Sequence, residues 1–270
     1  MTDRIALITG ATNGVGRVVA KRLGSQGWYV LAHGRDQARG AALVREIEAA
    51  GGKAHFYPAD LSSLGEVRRL AASVGKAHPL LHLLINNAGL GSGASGAGRE
   101  TSADGFELRF AVNYLAGFLL THLLLPNLLA AAPSRIVNIA SLGQRDIDFD
   151  DVQLERRYSG GDAYRQSKLA QILLTVDLAE ELKSRDVAVT ALHPATYMNT
   201  FMVRQAGHTP ISTVDEGADA IMNLAVGAAG RDRSGEFFDG LNPARANAQA
   251  YDQKARDHLR QLSLSLTGLG

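Results

Sequence analysis

The chain has 270 residues, no cysteine and a formal net charge of +1. That balance gives no basic field for nucleic acid, and the missing cysteines exclude disulfides, thiolate metal sites and a cysteine nucleophile. With 46% hydrophobic and 20% charged residues, the composition is that of a globular chain large enough to bury a core.

The N-terminus runs straight into Arg4-Ile5-Ala6-Leu7-Ile8, which has neither the charged start nor the cleavage site of a secretory leader. A cytoplasmic protein is expected. The run 5–8 predicts a strand buried on both faces of a parallel sheet. Thr9-Gly10-Ala11-Thr12-Asn13-Gly14-Val15-Gly16 follows, and then an amphipathic helix to about Gln26. Glycines 10, 14 and 16 leave backbone amides open to a diphosphate at the helix N-terminus, where the dipole favours negative charge. The spacing GxxxGxG differs from the common dinucleotide fingerprint GxGxxG.

The second strand, Tyr29 to His33, ends in Gly34-Arg35-Asp36. A dinucleotide fold places the adenosine ribose there. Arg35 suits a 2′-phosphate through charge-assisted bonds, which favours NADP(H). Asp36 could pair with Arg35 or contact a ribose hydroxyl itself, which keeps NAD(H) open. A helix over 37–50, a third strand over 54–57 and a helix capped by Ser62 or Ser63 come next, with Asp60-Leu61 between the last two. A fourth strand over 81–85 ends in Asn86-Asn87-Ala88-Gly89, and Leu90 to Gly98 is a loop by its glycine content.

The longest apolar stretch, Tyr114 to Ala132, is broken by His122, Pro126 and Asn127 and preceded by Arg109 and Asn113. It reads as a buried helix and not as a membrane span. Asn113 inside such a helix needs a hydrogen-bonding partner. A fifth strand over 135–140 delivers Ser141 to the carboxyl edge of the sheet, where ligands of open α/β sheets sit. The stretch 143–162 is a loop. Ala163-Tyr164-Arg165-Gln166-Ser167-Lys168 then opens a helix, with Tyr164 and Lys168 one turn apart on one face. An ammonium beside a phenol favours phenolate, and a phenol tuned that way can exchange a proton with a carbonyl oxygen. Tyr and Lys at this spacing are also common on helices without chemistry. A sixth strand over 187–192 ends at His193-Pro194, 198–212 reads as a flap, 214–228 as a helix, 235–238 as a seventh strand and 240–270 as a polar tail with helical patches. Strand–helix alternation throughout predicts one doubly wound parallel α/β sheet of the Rossmann type, about seven strands with helices on both faces, spanning 1–270 with no internal repeat.

In this order and approximate spacing, TGxxxGxG at 9–16, NNAG at 86–89, Asn113, Ser141 and Tyr164-xxx-Lys168 resemble the short-chain dehydrogenases/reductases over about residues 3 to 240. Val112 to Thr121, Arg135 to Leu142 and Tyr164 to Ala170 are similar to the branch of retinol-dehydrogenase-like enzymes and WW-domain oxidoreductases, of which this chain looks like a soluble relative. The resemblance implies Tyr164 as general acid/base, Lys168 lowering its pKa and bonding the nicotinamide ribose, Ser141 stabilising the reacting oxygen and Asn113 holding a relay water. It implies Gly10, Thr12, Asn13, Gly14, Val15 and Gly16 around the diphosphate, Asp60 and Leu61 at the adenine, Asn87, Ala88 and Gly89 on the adenosine side, and Pro194 with Thr196 at the nicotinamide. One departure is Ala195 where the family reads glycine; Thr196 or Thr200 is expected to serve the carboxamide.

The expected activity is interconversion of a ketone or aldehyde and an alcohol by hydride transfer, NADP(H) favoured and NAD(H) possible. No metal is required, and the eight histidines show no paired ligand spacing. The substrate is a small molecule, hydrophobic if Tyr197, Met198, Phe201 and Met202 wall the pocket, with 143–162 and 198–212 as its loops. The resemblance implies that copies pair, as a homodimer or homotetramer, through the helices containing 102–130 and 163–183. An epimerase or dehydratase using the cofactor transiently would need a larger substrate region, and a non-catalytic NADP-binding sensor would typically lack Tyr or Lys.

Overall fold

The continuous apolar runs become neighbouring strands because each buries both faces. In the computed structural model, which describes residues 4–94 and 96–270, the runs form β1 (Ile5–Ile8), β2 (Tyr29–Gly34), β3 (Lys53–Pro58), β4 (Leu83–Asn86), β5 (Ser134–Ile139), β6 (Val187–His193), β7 (Phe237–Asp239) and β8 (Asn242–Ala244). The order is β3-β2-β1-β4-β5-β6-β7-β8. All pairings are parallel except the last, where Phe238 faces Pro243. Strand order reverses beside β1, between β2 and β4, the usual ligand crevice of a doubly wound sheet.

The eighth strand exceeds the expected seven. Asn-Pro-Ala carries no strand signature, and it pairs only because Gly240, at φ +58°, turns the chain back along β7. Proline is tolerated on such an edge.

One face of the sheet carries α1 (Gly14–Ser25), α2 (Gln37–Ala49) and α7 (Val214–Ala225), with Val19, Leu23, Leu43, Ile221 and Leu224 in its core. The other carries α3 (Leu64–Ala77), a π-helical segment (Phe110–Leu115) running into α4 (Ala116–Ala130), and α5 (Gly160–Glu181), with Val67, Phe118, Leu124, Leu169 and Leu173. Short helices α6 (Phe201–Gln205) and α8 (Ala228–Asp232) lie in the later connections. Side-chain caps start the helices where polar residues precede apolar periods: Asn13, Asp36, Ser63, Ser159 and, with a full capping box to Glu216, Thr213. Ser159 starts α5 earlier than expected, so the loop ends before Gly160. The stretch Phe110–Ala130 is long and apolar enough to cross a membrane, yet 56% of its most apolar window is buried in this fold. α4 packs on α3, β4 and β5.

The tail differs most from expectation. It forms α9 (Gln253–Thr267), capped by Asp252, with Ala255, Leu259, Ser263 and Thr267 buried. Arg256 reaches Glu180 at 3.0 Å, Arg260 pairs with Asp177, and the Tyr114 hydroxyl meets Ser263 Oγ at 2.7 Å. Residues 166–175 and 177–179 of α5 are buried, packed against β5, β6, the π-helical segment and α9.

Leu259 is 2% exposed between α9 and α5. Leu259→Ala should lower unfolding free energy by about 2–4 kcal/mol with an unchanged denaturant slope, measured by urea titration.

Candidate active site

The carboxyl ends of β1 and β4 are stitched together by side chains. Thr9 Oγ1 accepts the amides of Asn87 (2.9 Å) and Ala88 (3.0 Å) and donates to Ile85 O (3.3 Å). Asn87 Nδ2 returns to Thr9 O (2.8 Å) and Gly10 O (3.1 Å). This approach leaves no room for side chains. Gly10 sits at φ +66°, where a Cβ would lie 2.9 Å from Ala88 Cα; at Gly16 it would lie 2.4 Å from Asn87 Nδ2. The cradle a Cβ would fill opens at the N-terminus of α1, where Asn13 Oδ1 holds the Gly14 amide at 2.8 Å, and such a terminus suits a diphosphate. Val15 is core; Thr12 packs against Gly34.

His33, on β2, is a structural part of this turn that sequence reading missed. Its Nδ1 accepts the Gly10 amide (3.2 Å), so its Nε2–H donates to Ala59 O (3.0 Å). Burial depresses its pKa to about 4, which keeps the ring neutral and this tautomer available. Beyond it, Asp36 caps α2 through the Arg39 amide (2.9 Å) and pairs with the Arg39 guanidinium (2.7 Å). Its carboxyl is thus engaged with Arg39 and not with Arg35. Among the described residues Arg35 is exposed and has no hydrogen-bonding or ion-pairing partner. Asp60 is half-buried, accepting the Ser62 amide at 3.0 Å, whereas the Leu61 side chain belongs to the core.

The chemical residues come from three elements. Ser141, 7% exposed just past β5, accepts the Gly143 amide at its hydroxyl (3.0 Å). Its hydroxyl and the ring of Tyr164, which is half-buried on α5, converge on Gly143, 3.5 and 3.8 Å from where its Cβ would be. Lys168, 5% exposed, donates to Ile139 O (2.7 Å) and Gln171 Oε1 (2.9 Å). Asn113, in the π-helical segment, accepts the Leu90 amide (2.7 Å) and donates to Leu90 O (3.0 Å) and Ser167 Oγ (2.9 Å). Asn113 Oδ1 and Lys168 Nζ converge on Gly89, 3.3 and 3.5 Å from where its Cβ would be. π-helical insertions of this kind often re-aim a side chain at a functional site.

The electrostatics differ from the expected coupling. Burial raises the Tyr164 phenol above its ordinary value, and the Ser141 hydrogen bond opposes that rise. Burial lowers Lys168 to about 7. Lys168 Nζ is 5.8 Å from the phenol ring centroid, with Ile139 O and Gln171 Oε1 as its acceptors. Gln171 was missed in the sequence, although a polar residue three positions after Lys168 in an apolar stretch was a usable signal.

After β6, Pro194 is buried, while Thr196 is exposed, with Oγ1 on His193 Nε2 (3.0 Å). Ala195 avoids positive φ, and the left-handed residue of this turn is Tyr197 at +46°, its ring stacked on His208 at 4.4 Å. The flap is tied across itself by Asn199 N to Ser212 O (3.0 Å). It seats the Thr200 methyl against Gly14 and Met202 against Gly91. Thr200, which caps α6, therefore lies over the glycine turn, whereas Thr196 turns back to β6.

The His33 geometry carries a pH dependence. The folded ring takes a proton only near pH 4, whereas the unfolded chain takes it near 6.5. Its contribution to stability is complete above pH 6.5 and is lost as pH falls from 6.5 to 4. Urea unfolding should show wild type losing roughly 2 kcal/mol more between pH 7 and 5 than His33→Gln does.

Comparison with known proteins agrees with this arrangement. The short chain dehydrogenase family profile matches residues 4–210. Retinol dehydrogenase 11 of Mus musculus is 36% identical, the alignment covering 100% of this chain and 88% of that protein. Retinol dehydrogenase 13 of Homo sapiens is 34% identical over 98% and 85%. Among solved structures, a metagenomic short-chain oxidoreductase in complex with NADP superposes with a TM-score of 0.67 at 31% identity, covering 90% of this chain and 97% of that one. The NADPH-bound carbonyl reductase from chicken fatty liver gives 0.70 at 25%, covering 92% and 100%. The chain belongs to the short-chain dehydrogenase/reductase family of oxidoreductases acting on alcohol and carbonyl groups.

Proposed function

We propose that this enzyme reduces an aldehyde or ketone with NADPH, and oxidises the corresponding alcohol in reverse, with Tyr164 exchanging the proton. The observation that carries the reading is the meeting of Ser141, Tyr164 and Lys168 at the carboxyl edge of the sheet, beside a glycine cradle whose shape excludes side chains. The residues present fit the cofactor. Gly10, Gly14 and Gly16 would hold the diphosphate, Arg35 the 2′-phosphate, and Lys168 the nicotinamide ribose. The bound cofactor supplies or accepts the hydride.

What the chain itself contributes is position and protons. A phenol whose pKa is raised by burial stays protonated at neutral pH and is a donor to oxygen that gains charge as a carbonyl is reduced. The Ser141 hydroxyl is a second donor at the same oxygen, held by the Gly143 amide. Lys168, titrating near 7, can both hold and release a proton behind the phenol. Asn113 fixes Leu90 and Ser167 around it and faces the same small space at Gly89. The preference for NADPH is supported by unpartnered Arg35, by the engagement of Asp36 with Arg39, and by the NADP and NADPH complexes of the similar structures.

Tyr164→Phe should lower kcat for carbonyl reduction by about 10²–10⁴-fold while NADPH affinity stays within about twofold, followed by stopped assays and fluorescence titration. Retained turnover removes Tyr164 from proton transfer. Arg35→Ala should weaken NADPH at least tenfold and leave NADH unchanged, the loss of about one charge-assisted contact; equal loss for both cofactors would place Arg35 away from the 2′-phosphate.

A further inference from the structure

A cavity of about 540 Å³ lies between the loop 92–94 and 96–98, the start of α5 at 158–161, and Ala206 at the end of the flap. Its described lining carries no charged side chain and consists of Gly, Ala and Ser with Tyr158. Gly161 precedes Tyr164 by three residues on α5, ~4.5 Å along the axis. Walls made of such small residues cannot hold themselves. Both are held by Arg109, the residue before the π-helical segment. Its Nε donates to Gly91 O (2.8 Å), Nη2 to Ser92 O (3.0 Å) and Nη1 to the Tyr158 hydroxyl (2.7 Å).

Arg109 is 3% exposed, and its counter-charge, Glu107, is 1% exposed. The Glu107 carboxylate lies 3.5 Å from Arg109 Nη1, accepts the Tyr158 hydroxyl at 3.3 Å and takes the Phe110 amide at 2.7 Å. Burying an ion pair is weak support for stability, and such pairs can instead select one conformation. Here the conformation selected is the wall spacing, since Asn113 pins Leu90 and Arg109 pins the next two carbonyls.

We propose that this cavity receives the bulky, uncharged end of the carbonyl or alcohol substrate, and that Arg109 is the positioning residue whose bonds to Gly91, Ser92 and Tyr158 set its width. The inference rests on the activity proposed above. A guanidinium can bridge three acceptors on two walls because its donors are fixed in one plane; an ammonium or an apolar chain cannot.

The test uses the full chain with Arg109→Met and Arg109→Lys. Amide hydrogen exchange over 90–98 is measured together with NADPH-dependent reduction of an aldehyde series from propanal to naphthaldehyde. Expected are exchange at least tenfold faster and KM for the bulky aldehydes about tenfold higher, with propanal kinetics and NADPH affinity unchanged. If Arg109→Met does not fold, Arg109→Lys, which keeps a charge beside Glu107 but cannot span both walls, gives the same two readouts. Unchanged exchange overturns the clamp, and KM rising equally for propanal and naphthaldehyde overturns the size role. Wild type that turns over no member of the series overturns the proposed activity, and the cavity's substrate role with it, while exchange still reads the clamp.

Discussion

The site depends on burying one ammonium. Lys168 can be 5% exposed only because two acceptors meet it, Ile139 O at the end of β5 and Gln171 Oε1 one turn along α5. An uncompensated charge there would be far too costly. That pairing draws α5 onto the end of β5. Tyr164, one turn before Lys168, and Ser141, two residues after Ile139, are thereby brought together beside Gly143. The same burial lowers Lys168 to about 7 and raises the phenol, so the constraint that assembles the site also sets its proton chemistry.

The rest of the molecule holds two partners to this edge. On the cofactor side, Thr9, Asn87 and neutral His33 replace loop flexibility with seven side-chain bonds around the glycine turn, to Ile85, Asn87, Ala88, Thr9, Gly10 and Ala59. On the far side of Asn113, the buried Arg109–Glu107 pair and Asn113 do the same for the glycine-rich loop after β4. Both clamps are polar groups placed under glycine-rich backbone. The flap, with Thr200 against Gly14 and Met202 against Gly91, spans from one clamp to the other.

Much of this was legible because the signals are local. Apolar runs marked the strands of the central sheet, polar caps marked helix starts, and the glycine turn, Ser141 and Tyr164-xxx-Lys168 stand at element ends where ligands gather. The missed parts are those whose meaning depends on a distant partner. Asn242-Pro243-Ala244 is a strand only beside β7. α9 reads as a polar tail until Leu259 and Ser263 meet α5 and Tyr114. His33, Gln171 and Arg109 are ordinary polar residues in sequence and become structural only through Gly10, Lys168 and Ser92.

By itself, then, the sequence determined the doubly wound sheet and the family, and it marked Ser141, Tyr164 and Lys168 as the candidate reacting side chains, because periodicity, turn chemistry and the spacing of Tyr164 and Lys168 are properties of neighbouring residues. Tertiary structure decided that α9 of the same chain packs on α5, and that Lys168 and Tyr164 are buried deeply enough to lower the first and raise the second. These outcomes turn on which groups are removed from water and what they meet there, and only packing of distant segments settles that.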